Sequence, residues 1–200
     1  MAADQTGSPS VSFTLDFPNS NPSHYEMTIF KDGKGSYKSN GQLSHNAQPG
    51  DPEAFDFAVS DPVRQQVFDL AKRAHYFNGK VDSGRSDIAN TGAKTLTYRE
   101  GDKVTSATYN YSPSVPIQEL TSIFQNLSTT LEFGRRLAFL HKYQKLALDE
   151  ELKNMEELRR DGSLGDIRAI APVLNEIAND HSVMNVSRAR AMRLLAFAGK

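Results

Sequence analysis

The chain has 200 residues, enough to bury about 70% of its unfolded surface as one large domain or two small ones without a disulfide or metal staple. Lys and Arg number 23 against 24 Asp and Glu, so the net charge of -1 leaves no global field to recruit nucleic acid or anionic lipid. The absence of cysteine removes thiol nucleophiles, disulfide frameworks, Cys-ligated zinc and iron–sulfur clusters, and no run approaches the roughly 18 apolar residues of a spanning helix.

The opening stretch, Met1-Ala2-Ala3-Asp4-Gln5-Thr6-Gly7-Ser8-Pro9-Ser10, is small and polar, with no basic segment followed by an apolar one. It predicts a disordered tail over residues 1–10. It fits either a cytoplasmic protein or a mature exported one whose signal has been removed. Its likeness to the polar stretch that follows a signal cleavage site favours a periplasmic or secreted address.

From residue 11 the period is two. Val11, Phe13, Leu15 and Phe17 alternate with Ser12, Thr14 and Asp16 up to Pro18, the pattern of a half-buried strand. Tyr25, Met27 and Ile29 predict a second strand. Asp32-Gly33 supplies a tight hairpin, and Ser36 to Ser39 returns as the partner. Residues 40–53 read as a polar loop, and Phe55, Phe57 and Val59 as a fourth strand. Asp61-Pro62 then reads as N-cap and first helical position of an amphipathic helix over 62–76, carrying Val63, Val67, Leu70, Ala71 and Ala74 and ended by Asn78-Gly79. Residues 78–93, rich in glycine and Asx, predict a mobile loop. A second hairpin follows, with Thr95, Thr97 and Arg99 alternating against Leu96 and Tyr98, a turn at Glu100-Gly101-Asp102, and a return from Val104 to Tyr111. The order ββββαββ over residues 11–112 predicts an antiparallel sheet of about six strands with one packed helix, an α+β domain.

After Pro116 the period becomes 3.6. Ile117, Leu120, Ile123, Phe124, Leu127 and Leu131 form one stripe, while Phe133, Leu137, Leu140, Leu148, Leu152 and Met155 form another, shifted around Gly134. A kinked or broken helix pair ending near Asp161-Gly162 is the expectation. Helices over 167–179 and 186–198 complete an all-helical part, residues 113–200, packed on or extending from the sheet domain.

Catalytic signatures are sparse. His24, His45, His75, His141 and His181 never take the spacing that sets two ligands on one helix face, and no G-x-S-x-G elbow or phosphate-binding glycine motif occurs. Gly33-Lys34-Gly35 belongs to a hairpin rather than to a phosphate cradle. His75-Tyr76-Phe77-Asn78-Gly79 is the densest aromatic cluster. It reads either as a pocket rim or, preferably, as Phe77 closing the core with His75 at a helix C-terminus. Arg135, Arg136, His141, Lys142 and Lys145 could form a basic strip for phosphate or an acidic partner. Flanking Glu132, Asp149, Glu150 and Glu151 suit a solvated helix with local ion pairs instead. On the last helix, Arg188 falls beside Met184, Met192 and Leu195 on the apolar face, where it needs a carboxylate or carbonyls, and Asp180 is its candidate partner. His75, Tyr76, Arg135, Arg136 and His141 are therefore pocket or interaction candidates, and Asp180 with Arg188 a structural pair. No catalytic, metal or cofactor residue is assigned.

The stretch Ile170–Asp180 with Val186–Ala191 resembles a single HEAT-type helical hairpin over residues 170–198, which implies helix-pair geometry and a structural role for Asp180 and Arg188. The wider layout is similar to uncharacterised bacterial proteins, many of them exported. The likeness rests on Asp32-Gly33, Tyr76-Phe77-Asn78-Gly79 and Thr91-Gly92-Ala93-Lys94-Thr95-Leu96-Thr97-Tyr98. It implies an α+β fold and an envelope location, with no activity attached. The resulting expectation is a non-enzymatic binding or protein-interaction module of the cell envelope, partnered by another protein or by itself. A hydrolase-like small-ligand enzyme, its site assembled only in the fold, is the alternative. Nucleic-acid binding through Arg188, Arg190 and Arg193 is weak, since stacking aromatics are missing there beyond Phe197.

Overall fold

A computed structural model describes residues 8–18, 20–43 and 53–198, so tail residues 1–7, His45 and most of the polar loop lie outside the described residues. The described chain forms two compact units, one closing at Phe124 and the other running from Gln125.

In the first unit, β1 (Ser10–Asp16), β2 (His24–Phe30), β3 (Lys34–Ser39), β4 (Glu53–Ala58), β5 (Ala93–Glu100) and β6 (Lys103–Tyr109) make one antiparallel sheet in the order β4-β3-β2-β1-β5-β6. The first strand becomes central because both its neighbours match its parity: Phe13 pairs with Met27 on one side and Leu96 on the other. This aligns Val11, Phe13, Leu15, Tyr25, Met27, Ile29, Tyr37, Leu96 and Tyr98 on one buried face, while Ser12, Thr14, Thr28, Thr95 and Thr97 occupy the other. The Asp32-Gly33 hairpin forms as the sequence predicts, with Gly33 at φ 90° and the Asp32 carboxylate accepting the Lys34 N–H at 3.0 Å. Gly35 has a packing reason instead, because the Phe57 ring covers the place a Cβ would occupy.

Helix α1 (Asp61–Arg73) is capped by Ser60, whose hydroxyl accepts from Val63 N, and not by Asp61 as expected. Asp61 sits in the first turn and pairs with Arg64, a place the helix dipole also favours. The helix stops three residues earlier than expected. His75, Tyr76 and Phe77 all have positive φ (50°, 52° and 64°) and form a short left-handed 3-10 turn. Such a run costs about 1–2 kcal/mol per L-residue. It is held by the buried Phe77, by the Tyr76 ring 4.4 Å from that of Tyr98, and by Thr105 Oγ1 donating to the Tyr76 carbonyl.

Helix α2 (Val115–Tyr143) opens in the first unit, where Ile117, Leu120 and Phe124 are buried and the Phe124 ring stacks on Phe13 at 5.3 Å. The kink expected near Gly134 is absent: α2 runs through it. The second unit explains this glycine differently, for a Cβ on Gly134 would come within 2.5 Å of Ile170 Cγ2. The missing side chain makes room for a neighbouring turn. The helical break falls at Gln144 and a 3-10 turn, Lys145–Ala147, followed by α3 (Leu148–Arg160) with Asp149, Glu150 and Glu151 in its first turn.

A further 3-10 turn, Ile167–Ile170, precedes α4 (Ala171–Asn179), so the expected helix over 167–179 begins only past Ile170, with Pro172 in its first turn. The last helix, α5 (Asn185–Ala198), buries Ser187, Ala191 and Leu194 and not Met184, Met192 and Leu195. A wheel drawn from the large side chains points the wrong way: α5, which packs on α3 and α4, turns Ser187, Ala191 and Leu194 inward. Among the described residues no helix is long and apolar enough to cross a membrane.

Candidate functional site

The first unit holds a cavity of about 210 Å³, lined by Thr91 and Lys94 at the start of β5, Tyr109 to Ser112 at the end of β6, and Ile117, Gln118, Thr121 and Ser122 on the opening turns of α2. Strand alternation aims Lys94 inward, in phase with Leu96 and Tyr98, and leaves it 4% exposed. Its Nζ donates to Thr91 Oγ1 (2.8 Å), Asn110 O (2.9 Å), Thr91 O (3.1 Å) and Gly92 O (3.2 Å). All four acceptors are neutral, and no carboxylate pairs with this ammonium among the described residues. Burial pushes the Lys94 amine below its ordinary range.

Neighbouring groups are tied down as firmly. Tyr109 Oη bonds Thr121 Oγ1 at 2.5 Å, and Thr121 in turn donates to Ile117 O at 2.7 Å. Tyr109 thus donates to Thr121, and burial pushes its phenol up to about 12, against which the Thr121 bond acts weakly. Gln118 Nε2 donates to Ser112 O (2.9 Å) and Tyr111 Oη (3.1 Å). The loop ahead of β5 is anchored by Asp82, whose carboxylate accepts the N–H groups of Gly84 (2.6 Å) and Asn110 (2.8 Å). Those amides hold the Asp82 carboxyl below its ordinary range.

None of the pocket or interaction candidates His75, Tyr76, Arg135, Arg136 and His141 lines this cavity, whereas Thr91 and Lys94, from the stretch that carries the family likeness, do. His75 is exposed and Tyr76 lies against Tyr98, with Lys103 Nζ 5.9 Å from its ring centre. In the second unit Arg135 and Arg136, at the start of the expected basic strip, are both paired with the acids the sequence places near them. Arg135, only 9% exposed in its side chain, bonds Glu132 at 3.1 Å, while Arg136 Nε bonds Glu151 at 2.5 Å and its guanidinium covers the Phe133 ring. Arg190 joins Asp149 and Glu156, and Arg193 also reaches Glu156. The Glu156 carboxyl falls below its ordinary range because these guanidiniums outweigh its burial.

His141 and Asp180 do meet, in a cluster at the Gln144 break and the α4–α5 turn. Asp180 Oδ2 accepts from Lys145 Nζ (2.6 Å) and bonds His141 Nε2 (2.9 Å), while Oδ1 accepts from Ser182 Oγ (2.7 Å) and Ser182 N (2.8 Å). Lys145, then Ser182, then His141 hold the Asp180 carboxyl far below the usual carboxylate range. The expected Asp180–Arg188 pair is therefore not formed. Arg188 Nε donates instead to Ala178 O at 3.0 Å, one of the carbonyls left open at the end of α4. Lys145 Nζ also lies 2.6 Å from Ser182 Oγ, the composition of a serine–lysine nucleophile pair. The Ser182 proton, however, faces Asp180, and a carboxylate with so low a pKa is a poor base.

Among the described residues no group of three or more His, Asp or Glu side chains converges to hold a metal. Neither a scan against protein-family models nor a search of the curated proteins returns a match to this chain.

Lys94 was legible in sequence through strand parity alone, since a lysine in step with Leu96 and Tyr98 must turn inward. The other lining residues beyond β5 come from segments 15 or more positions away and carry no shared motif.

Proposed function

We propose that the protein is a non-enzymatic binding module and that its ligand site is the cavity between the ends of β5 and β6 and the start of α2. The observation that carries this reading is the state of the ionisable lining groups. The Lys94 ammonium has all its protons bonded, and the Tyr109 phenol is a neutral donor with a pKa of about 12. Both donors are spent on protein acceptors, Lys94 on Thr91, Gly92 and Asn110 and Tyr109 on Thr121, so the pair fixes the shape and charge of the cavity wall. A thermal-shift panel of small polar molecules tests the reading. A ligand at 100 times its dissociation constant adds about 2.7 kcal/mol of stability. The expected result is a shift for at least one chemical class, abolished by Ser122→Trp, which places an indole at the solvent-exposed rim. A flat panel, or a shift that survives Ser122→Trp, contradicts it. The likeness to bacterial proteins, many of them exported, adds a cell-envelope address to the reading, and fractionation that finds the protein only in the cytosol would remove it.

A second reading has its own observation in the helical unit. Leu146 is 80% exposed, next to Lys145, which bonds Ser182, two residues before the exposed Met184. Tyr143 extends the patch, with its ring 5.1 Å from that of Phe139. Patches of this kind serve protein partners. Concentration-dependent sedimentation that Leu146→Asp abolishes supports self-association through this face, and a strict monomer at high concentration argues against it.

A further inference from the structure

We infer that the cavity of the first unit takes a ring-sized monocarboxylate, an inference that rests on the binding reading above. Three features of the lining lead there. The Lys94 charge is 4% exposed and neutralised only by carbonyl and hydroxyl dipoles. Asp82, whose carboxylate is engaged by the amides of Gly84 and Asn110, makes no bond to the ammonium. A buried cation without a counter-charge at the wall of a cavity favours an anionic guest over a neutral one of the same shape.

The hydrogen-bond donors point the same way. Ser112 Oγ, in a residue 2% exposed, accepts from Ser114 N but its own proton has no acceptor among the described residues. Tyr111 Oη likewise accepts from Gln118 Nε2 and retains a proton to donate. These two unspent protons suit a guest whose polar atoms accept, and carboxylate oxygens only accept.

Size and the remaining walls set the rest of the guest. The rings of Tyr109 and Tyr111 and the side chain of Ile117 offer apolar surface. An apolar cavity of about 150 Å³ holds benzene, so 210 Å³ accommodates a six-membered ring with one carboxylate. A dicarboxylate would bring a second charge, and Lys94 is the one cationic side chain among the described lining residues.

Benzoate and its neutral isostere benzamide separate the possibilities by titration into the isotope-labelled full chain, read from amide resonances. At pH 7 benzoate is expected to bind at least about tenfold more tightly than benzamide, with shifts centred on Thr91–Lys94, Tyr109–Ser112 and Ile117–Ser122. Raising the salt concentration is expected to change this ratio little, because the charge is buried. Lys94→Met should cancel the preference; since that variant also loses four hydrogen bonds, the comparison in the unmodified chain decides. Equal or tighter binding of benzamide overturns the inference. Binding of benzoate elsewhere on the surface overturns it too. Failure of benzoate while another class in the panel binds the cavity removes only the ligand assignment. Failure of every compound removes the binding reading itself.

Discussion

Replacing Gly134 by alanine tests how the second unit is packed, because two opposed effects have known sizes. In a helix interior, Gly→Ala ordinarily stabilises by about 1 kcal/mol. Here the new methyl would sit 2.5 Å from Ile170 Cγ2 and 3.2 Å from Ile170 Cβ, and Ile170 is itself buried on a short turn. Overpacking of this kind costs about 1–3 kcal/mol. The balance is a net loss of about 1 kcal/mol, or a fall in Tm of about 2–4 °C for a chain of this length. Ile170→Ala alone should cost about 2–5 kcal/mol by leaving a void. In the double variant the methyl introduced by Gly134→Ala enters that void, so the pair should be less damaging than the sum by about 1 kcal/mol or more. Urea denaturation of the four proteins closes the cycle. A Gly134→Ala chain more stable than the parent, or an additive double variant, would refute the claim that this glycine is a contact rather than a hinge.

Burial and pairing set the other expectations. Tyr109 has a folded pKa raised to about 12 above an ordinary 10.0, so its stability contribution is complete below pH 10 and is lost as pH rises towards 12; absorbance titration should show its late ionisation, and Tyr109→Phe should flatten that part of the alkaline limb. Asp180 works in the opposite sense: its folded pKa lies below the ordinary 3.8, so its contribution is present above that value and lost as pH falls further. Asp180→Asn should therefore lower Tm at neutral pH and leave a shallower acid limb, and an unchanged acid limb would count against the Lys145–His141–Ser182 cluster. Gly35→Ala would drive a methyl into the Phe57 ring and should cost about 1–3 kcal/mol, which Phe57→Leu should partly restore in thermal melts. Tyr76→Gly relieves one left-handed residue but removes the ring against Tyr98; if the strained turn is held by that ring, proteolysis between Arg73 and Lys80 should accelerate.

The sheet was legible because its signal is local and strict. A period of two in β1 and β2, the Asp32-Gly33 turn and the later hairpin required nothing from distant parts of the chain. Where sequence and structure part, the deciding fact is a partner elsewhere. Gly134 suggests a kink until Ile170 is seen against it. Met184, Met192 and Leu195 suggest one orientation for the last helix, yet Ser187, Ala191 and Leu194 are the residues turned inward. Sequence proximity matches Asp180 to Arg188, whereas its donors include side chains 35 and 39 residues earlier. At Arg135 and Arg136 the ion-pair reading holds, with Glu132 and Glu151 as partners, whereas the acids that meet Arg190 lie 34 and 41 positions away and arrive only with the fold. The cavity follows the same rule. Lys94 can be placed inside by parity, but its union with Asn110, Ser112 and Gln118 is a product of the β5–β6 register and the start of α2.

Binding without chemical transformation in the cavity beside Lys94 is tested most directly by an amide-resonance titration. The unmodified chain and Ser122→Trp are titrated with the same small-molecule panel, and the bound compound is then recovered. Saturable shifts confined to residues 91–94, 109–112 and 117–122, lost in Ser122→Trp, with the compound recovered intact, are the expected result. Shifts that ignore the cavity, or a compound returned chemically changed, would contradict it.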